Sequence, residues 1–205
     1  MPFDSQSLVS QIGELHATTV DRWHSEPLDN LYSGLLGLVC QQHQFNFQLW
    51  HEEDIARSKE VTDERIAQVK RAIDGFNQQR NDWIERVDEG LIDMLGSIGV
   101  DPAADATLNT ETPGSAIDRL SIMSLRVYHL REELEREDAT DEHREKVQTR
   151  LDRCALQQAD LSNSLHELLE DIFAGRKLLK VYRQMKMYND PTLNPYLYKA
   201  QRKAG

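Results

Sequence analysis

The sequence predicts an all-α fold, a single-domain bundle of about five long helices. Proline, the strongest helix breaker, is absent between Pro27 and Pro102 and again between Pro113 and Pro191. The two proline-free stretches are rich in Leu, Glu, Gln, Arg and Ala, and their apolar residues recur at intervals of three and four. No window of strand length alternates β-branched and polar residues, so the pattern does not favour a sheet.

Two helices are expected before residue 60. The first covers about residues 7–23 and ends before Pro27. Asp29 or Asn30 supplies an N-cap for the second, because short polar side chains accept hydrogen bonds from the free amides at a helix start. The second helix then continues to about Ser58.

A third helix, a long loop and a fourth helix follow. Thr62 is the expected N-cap of the third helix, and its apolar stripe extends to Leu91. From residue 96 to 112, turn-forming residues replace the apolar periodicity, so we expect the one long loop of the chain there, and such loops are often functional. Thr112 as N-cap and Pro113 at the first helical position open the fourth helix, which reaches about Glu137.

The last helix and the C-terminal tail complete the prediction. After a charged connection at residues 137–140, the apolar periodicity predicts a fifth helix to about Met187, with a bend at Gly175. The tail at residues 188–198 combines turn residues with three Tyr and two Leu, more apolar side chains than a disordered tail carries. We therefore expect it to pack back onto the bundle through Tyr196 and Leu197.

Composition excludes several classes of function. The chain has 35 acidic against 24 basic residues and a net charge of -11, which disfavours binding to nucleic acid. No apolar run is long enough for a membrane span, and the N-terminus lacks the pattern of an export signal. Cys40 and Cys154 lack a nearby partner cysteine, so we expect free thiols and a cytoplasmic location.

Polar groups crowd onto one side of the second helix. Asn46, Trp50, Glu53 and Arg57 lie at i, i+4, i+7 and i+11 and form one continuous stripe. A solvated surface with local ion pairs is the structural alternative to a ligand-binding face.

Two charged residues interrupt an apolar stretch of the fourth helix. Asp118 and Arg119 lie one turn inside it, and burying an unpaired charge is costly, so both need partners. We expect Asp118 to pair with Arg57, and Arg119 to pair with Glu53 or Glu111. The second and fourth helices then enclose a polar pocket, although a purely structural ion network satisfies the same argument. The candidate ligand-binding residues are Asn46, Trp50, Glu53, Arg57, Glu111, Asp118 and Arg119.

Signatures of known catalytic or metal sites are absent from the sequence. It contains neither the zinc pattern His-Glu-x-x-His nor the paired Glu-x-x-His of di-iron bundles, so we assign no metal site, cofactor or catalytic residue. The free amides of residues 112–115 predict either an anion site or an ordinary N-cap close to a neighbouring element. A magnesium or manganese site between helices stays open as an alternative, with ligands drawn from His51, Glu53, Asp54, Asp118, Glu167, Glu170 and Asp171.

Three runs of the chain resemble a bacterial domain-of-unknown-function family, DUF4254. They are residues 49–57, 109–122 and 186–191, and the similarity spans nearly the whole chain. The resemblance implies a stand-alone helical protein that is often encoded beside glycosyltransferases of surface-polysaccharide assembly. It implies no catalytic residues.

The leading functional hypothesis is a cytoplasmic helical protein that serves surface-glycan assembly. Its pocket would bind a small anionic or sugar ligand, such as a sugar phosphate, or a partner enzyme such as a glycosyltransferase. One alternative is a metal-dependent enzyme acting on a phosphorylated sugar or nucleotide, with Glu53 or Asp118 as base or metal ligand and Arg57 or Arg119 on the phosphate. The other is a structural homodimer in which polar groups set the helix register.

Overall fold

A computed structural model of the chain describes residues 3–181, 183 and 190–197. In this part of the chain the protein is an all-α bundle, as the sequence predicts, with two strands of two residues each as its only extended pairing. The elements are α1 (Ser5–Trp23), α2 (Gly34–Arg57), α3 (Asp63–Ser97), β1 (Thr107–Leu108), α4 (Pro113–Glu135), α5 (Asp141–Phe173) and β2 (Lys177–Leu178).

Four of the five helices begin at a side-chain cap. Asp4, Thr62, Thr112 and Thr140 each accept a hydrogen bond from the backbone amide three residues further on. Such a bond satisfies one of the amides that a helix start leaves without a partner. The predicted starts of the third and fourth helices are therefore confirmed.

The second helix begins later than predicted, at Gly34 instead of near Asp29 or Asn30. Asp29 accepts a hydrogen bond from Nε1 of Trp23 at 3.1 Å, and Oδ1 of Asn30 accepts one from the backbone amide of Tyr32 at 3.1 Å. Both side chains thus organise the turn after α1, which leaves neither of them to cap α2.

The fourth helix lies in the middle of the bundle. It contacts α1, α2, α3 and α5, while α2 packs along α3 and α5 packs along α4 in two helical hairpins. Ile117, Leu120 and Leu125 of α4 are at most 1% exposed. This burial explains why the apolar residues of its first turns cover most of the helix circumference.

The fifth helix ends at Phe173, so the predicted continuation to Met187 with a bend at Gly175 is wrong. Gly175 has a φ of +72°, in the left-handed region that glycine adopts without strain, and it ends the helix. The carbonyl of Gly175 accepts a hydrogen bond from the amide of Ala103 at 2.9 Å, and β2 then pairs in parallel with β1. Pairing with the long loop therefore replaces the next helical turns.

The predicted packing of the tail through Tyr196 and Leu197 is also wrong. Tyr196 is 87% exposed and Leu197 is 40% exposed, while residues 188, 189 and 198 lie outside the described residues. Arg183 instead forms ion pairs with Glu85 and Glu89 of α3. In the described chain after β2, Leu179 packs against the core, whereas Arg183 is held by electrostatic attraction to the acidic bundle.

No helix in the described part of the chain is long and apolar enough to cross a membrane. Cys40 and Cys154 are buried free thiols, as expected from their spacing. Burial raises the pKa of the Cys40 thiol to about 12.

Candidate functional site

Two cavities divide the predicted site residues between them. The first has a volume of about 370 Å³ and lies between α2, α3 and α4; we call it the interhelix pocket. The second has a volume of about 800 Å³, lies between α4 and α5, and takes Glu111 and Arg119 from the predicted set. The lining of the interhelix pocket includes the predicted residues Asn46, Trp50, Glu53 and Arg57, together with Leu49, Asp54, Asn77, Arg80, Ile122 and Leu125.

The remaining predicted residue, Asp118, lies beneath the interhelix pocket and is 4% exposed. Its Oδ1 accepts hydrogen bonds from Nε2 of Gln42 at 2.6 Å and from Nδ2 of Asn46 at 2.9 Å. Both carboxylate oxygens also bind the guanidinium of Arg80, with Nε donating to Oδ1 at 2.7 Å and Nη2 donating to Oδ2. This bidentate bond raises the pKa of Arg80.

The predicted ion pair between Asp118 and Arg57 is therefore wrong. Arg57 pairs with Glu53 one turn away on the same helix at 2.9 Å, and its side chain is 69% exposed. Arg80 on α3 is the partner that the sequence analysis missed. It reaches Asp118 from a third helix, and no local pattern predicts that helix's register against α4.

A chain of hydrogen bonds continues from Asp118 into the core. Nδ2 of Asn46 also donates to Oγ of Ser121 at 2.8 Å, and that oxygen lies 2.6 Å from Nδ1 of His43. A serine and histidine at this distance have the spacing of a nucleophile and its base. Both side chains are 0% exposed, however, and neither lines the two cavities. The pair therefore serves packing between α2 and α4.

Arg119 forms one of its two predicted ion pairs, with Glu111 at 2.8 Å. Its side chain is 56% exposed, so the expectation that Arg119 is buried is wrong. It lines the open cavity between α4 and α5, one residue beyond the face of α4 that buries Asp118. The requirement for a buried partner thus applies to Asp118 alone.

The start of α4 holds a carboxylate of the chain itself. Oδ1 of Asp88 accepts a hydrogen bond from the amide of Gly114 at 2.7 Å, and Oγ1 of Thr112 accepts one from the amide of Ser115 at 3.2 Å. Burial raises the pKa of Asp88 to about 6, and hydrogen bonds from Thr112 and Gly114 oppose that rise. Of the two readings of residues 112–115, the capped start close to a neighbouring element is confirmed.

The interhelix pocket offers several kinds of polar group to a ligand. The side-chain amide of Asn77 makes no hydrogen bond to any described residue, so it can both donate and accept. The guanidinium of Arg80 is held in place by Asp118, and its side chain is 26% exposed. Trp50 adds an aromatic ring, and Glu53 adds a carboxylate that accepts hydrogen bonds.

Carboxylates of the alternative magnesium or manganese site are distributed between the two cavities. Glu53 and Asp54 line the interhelix pocket, whereas Glu167 and Asp171 line the cavity between α4 and α5. In the described residues, one group of three metal-ligating side chains converges: His24, His51 and His129. Of these three, only His51 is among the ligands considered from the sequence, because the three histidines are far apart along the chain and form no spaced motif.

A comparison with protein families shows which family this chain belongs to. The model of a family described as a protein of unknown function, DUF4254, matches residues 36–181. The match extends from α2 to β2 and includes the whole lining of the interhelix pocket, whereas the run at residues 186–191 lies beyond it. No curated protein and no solved structure matches the chain.

Proposed function

Since the chain belongs to the DUF4254 family, whose description names no function, we propose from the geometry of the interhelix pocket that the protein binds a small sugar. The observation that carries this proposal is the lining of the pocket, which combines Trp50 with the unbonded amide of Asn77 and the fixed guanidinium of Arg80. A volume of about 370 Å³ falls within the range of about 300–1,000 Å³ that small-molecule sites occupy.

The charge of the pocket favours a neutral hydroxylated ligand over a strongly anionic one. Arg57 and Arg80 line the pocket together with Glu53 and Asp54, and Asp118 adds a further negative charge beneath them. The two cations are thus balanced by ion pairs within the protein. A sugar hydroxyl can donate to a carboxylate and accept from an amide or guanidinium, so it uses both kinds of group. A role in surface-glycan assembly, which the family resemblance implies, agrees with such a ligand.

Titration with glucose, N-acetylglucosamine and glucose 1-phosphate, followed by tryptophan fluorescence and calorimetry, tests the proposal. We expect saturable binding of at least one neutral sugar, with the fluorescence change lost in Trp50→Phe and the affinity lowered about tenfold in Asn77→Ala, as expected for one lost hydrogen bond. Trp83→Phe is the matched control, since Trp83 lies on α3 outside the pocket. Binding that tolerates the changes at residues 50 and 77 would contradict the proposal.

A purely structural function is the second candidate, favoured by the hydrogen bonds of Asp118. This carboxylate accepts bonds from Gln42, Asn46 and Arg80, so Asp118 itself needs no ligand, although Oε1 of Gln42 is buried without a partner among the described residues. The two candidates differ at Asn77, which the network does not use. If none of the three compounds binds the wild-type protein and Asn77→Ala leaves its stability unchanged, the structural function is supported.

A further inference from the structure

We propose that His24, His51 and His129 form a binding site for a divalent transition-metal ion of the zinc class. The metal proposal does not depend on the sugar proposal, although Trp50 lines the interhelix pocket and also stacks on His129. His24 follows the last residue of α1, His51 lies on α2 and His129 lies on α4. One ring nitrogen of each histidine lies within 4.8 Å of one ring nitrogen of each of the others.

The arrangement of the three rings matches the geometry of a metal centre. Their centroids are 5.2 Å apart for His24 and His51, 5.1 Å for His24 and His129, and 5.8 Å for His51 and His129. Around a tetrahedral ion with metal–nitrogen bonds of about 2.0–2.1 Å, three imidazole centroids are about 5 Å apart. Small changes of side-chain torsion are therefore enough to close the rings on an ion.

Nε2 of each of the three histidines is buried and has no hydrogen-bond partner among the described residues. A buried polar atom without a partner is costly, so three of them at one place require an explanation. A cation that accepts their lone pairs supplies one, because imidazole nitrogen is a preferred ligand of zinc, copper, nickel and iron.

Hydrogen bonds at Nδ1 of His24 and His129 fix the tautomer that metal binding through Nε2 requires. Nδ1 of His24 lies 2.7 Å from the carbonyl oxygen of Val20, and Nδ1 of His129 lies 2.6 Å from Oε2 of Glu132. Both oxygens are acceptors, so both Nδ1 atoms carry the hydrogen and the lone pair remains on Nε2. A carboxylate behind a metal-binding histidine orients the ring and increases its basicity.

Burial favours the neutral form of the third ring. It lowers the pKa of His51, the neighbouring imidazoles lower it further, and the carboxylates of Asp54 and Glu132 oppose this shift. Metal ions bind the neutral imidazole, so the same environment that opposes protonation of His51 favours its role as a ligand.

Aromatic contacts hold the rings in position. His24 stacks on Tyr128 at 4.0 Å, and His129 stacks on Trp50 at 4.9 Å. The ring of His51 meets the ring of Phe47 at 4.5 Å.

Three protein nitrogens leave a fourth position on a tetrahedral ion for water or another donor, as in catalytic zinc sites.

Calorimetric titration of the EDTA-treated, dialysed full-length protein with ZnSO₄ tests the proposal. We expect one ion per chain, a higher melting temperature, and absorption typical of four-coordinate Co²⁺ when CoCl₂ replaces zinc. His51→Ala and His129→Ala are each expected to weaken zinc binding at least about 100-fold, since each removes one of three ligands. His143→Ala is the matched control, because His143 is a partly exposed histidine on α5 that pairs with Glu133.

A second pair of variants keeps the test decisive if the histidine variants fold poorly. Glu132 is partly exposed, and Glu132→Gln removes only the charge behind His129, so we expect about a 10- to 100-fold loss of zinc affinity without unfolding. Glu133→Gln is its control. No stoichiometric zinc binding to the wild-type protein, or zinc binding of equal affinity in His51→Ala, His129→Ala and Glu132→Gln, would overturn the proposal.

Discussion

The carboxylate of Asp118 is 4% exposed, and three side chains from two other helices bind it. Gln42 and Asn46 reach it from α2, and Arg80 reaches it from α3. Each bond offsets part of the free energy that burial of a charge costs. The position of Asp118 therefore depends on all three helices being in register.

Replacing Asp118 by Asn is expected to lower the free energy of unfolding by about 3–5 kcal/mol, the usual cost of removing one partner of a buried ion pair. In either orientation the new amide places its NH2 group against a donor of Arg80, and it leaves the guanidinium without its counter-charge. Urea denaturation followed by circular dichroism measures the change. Glu53→Gln is the control: its pair with Arg57 is largely exposed, so we expect a loss below about 1 kcal/mol. Equal losses in both variants would contradict this account.

The sequence shows that Asp118 needs a partner, but not which one. The apolar residues around Asp118 in the sequence correctly predict that it is buried. Because a buried charge without a partner costs free energy in any protein, they also predict that Asp118 is paired. The same rule fails for Arg119, one position further along, since apolar neighbours in the sequence do not show which face of α4 the other helices cover. Selection of Arg80 as the partner is a consequence of how α3 packs against α4, which no local pattern encodes.

At the scale of elements, α4 begins against the backbone of α3. A Cβ on Gly114 would lie 2.6 Å from the carbonyl oxygen of Ile84 and 2.9 Å from the carboxylate carbon of Asp88. Glycine is the residue that permits this approach, and the approach allows Asp88 to accept the amide hydrogen of Gly114. The N-terminal hydrogen bonding of α4 and its packing against α3 thus both depend on residue 114 having no side chain.

The substitution Gly114→Ala is expected to lower the free energy of unfolding by about 3 kcal/mol, because backbone atoms of Ile84 cannot yield as a flexible side chain can. Gly75→Ala provides the control, since its Cβ would meet no atom within 4 Å. In the interior of α3 that change is expected to raise stability by up to about 1 kcal/mol through helix propensity. Thermal melts of the two variants measure the difference, and similar melting temperatures would contradict the close approach at Gly114.

The starts of α3 and α4 are predicted correctly from the sequence, whereas the end of α5 is not. The caps at Thr62 and Thr112 are local, so the sequence is sufficient to place α3 and α4. The end of α5 depends on a distant segment, because residues 176–178 leave the helix to pair with the long loop. Residues after Gly175 have good helix propensity, and tertiary pairing overrides it.

At the scale of the whole molecule, the core contains a neutral histidine pair. The rings of His16 and His43 are 4.5 Å apart, and both residues are at most 1% exposed. Burial lowers the pKa of His16 to about 3 and is the main cause that places the pKa of His43 well below its usual range. Protonation of either ring inside the bundle is therefore coupled to unfolding.

This coupling predicts an acid-sensitive fold. Below about pH 6.5 the unfolded chain takes up a proton on each imidazole while the folded chain does not, so each contributes a loss of about 1.4 kcal/mol per pH unit. Asp88 has the opposite effect between about pH 6 and 4. With a pKa of about 6 it is protonated in the folded chain but still charged in the unfolded chain, so it raises the free energy of unfolding as the pH falls. In that range the two imidazoles and Asp88 together therefore lower the free energy of unfolding by about 1.4 kcal/mol for each pH unit of acidification.

His16→Leu isolates the contribution of one ring, because leucine has a similar volume and takes up no proton. Urea denaturation of wild type and variant at pH 7, 6, 5 and 4, in the presence of EDTA, is expected to show a slope shallower by about 1.4 kcal/mol per pH unit in the variant. His143→Ala, which removes a partly exposed ring on α5, controls for the loss of a histidine as such. The absolute stability of His16→Leu does not enter the comparison, since a constant change in packing shifts the whole curve without altering its slope. Parallel pH profiles for wild type and His16→Leu would show that His16 is protonated in the folded chain, against the burial of its ring.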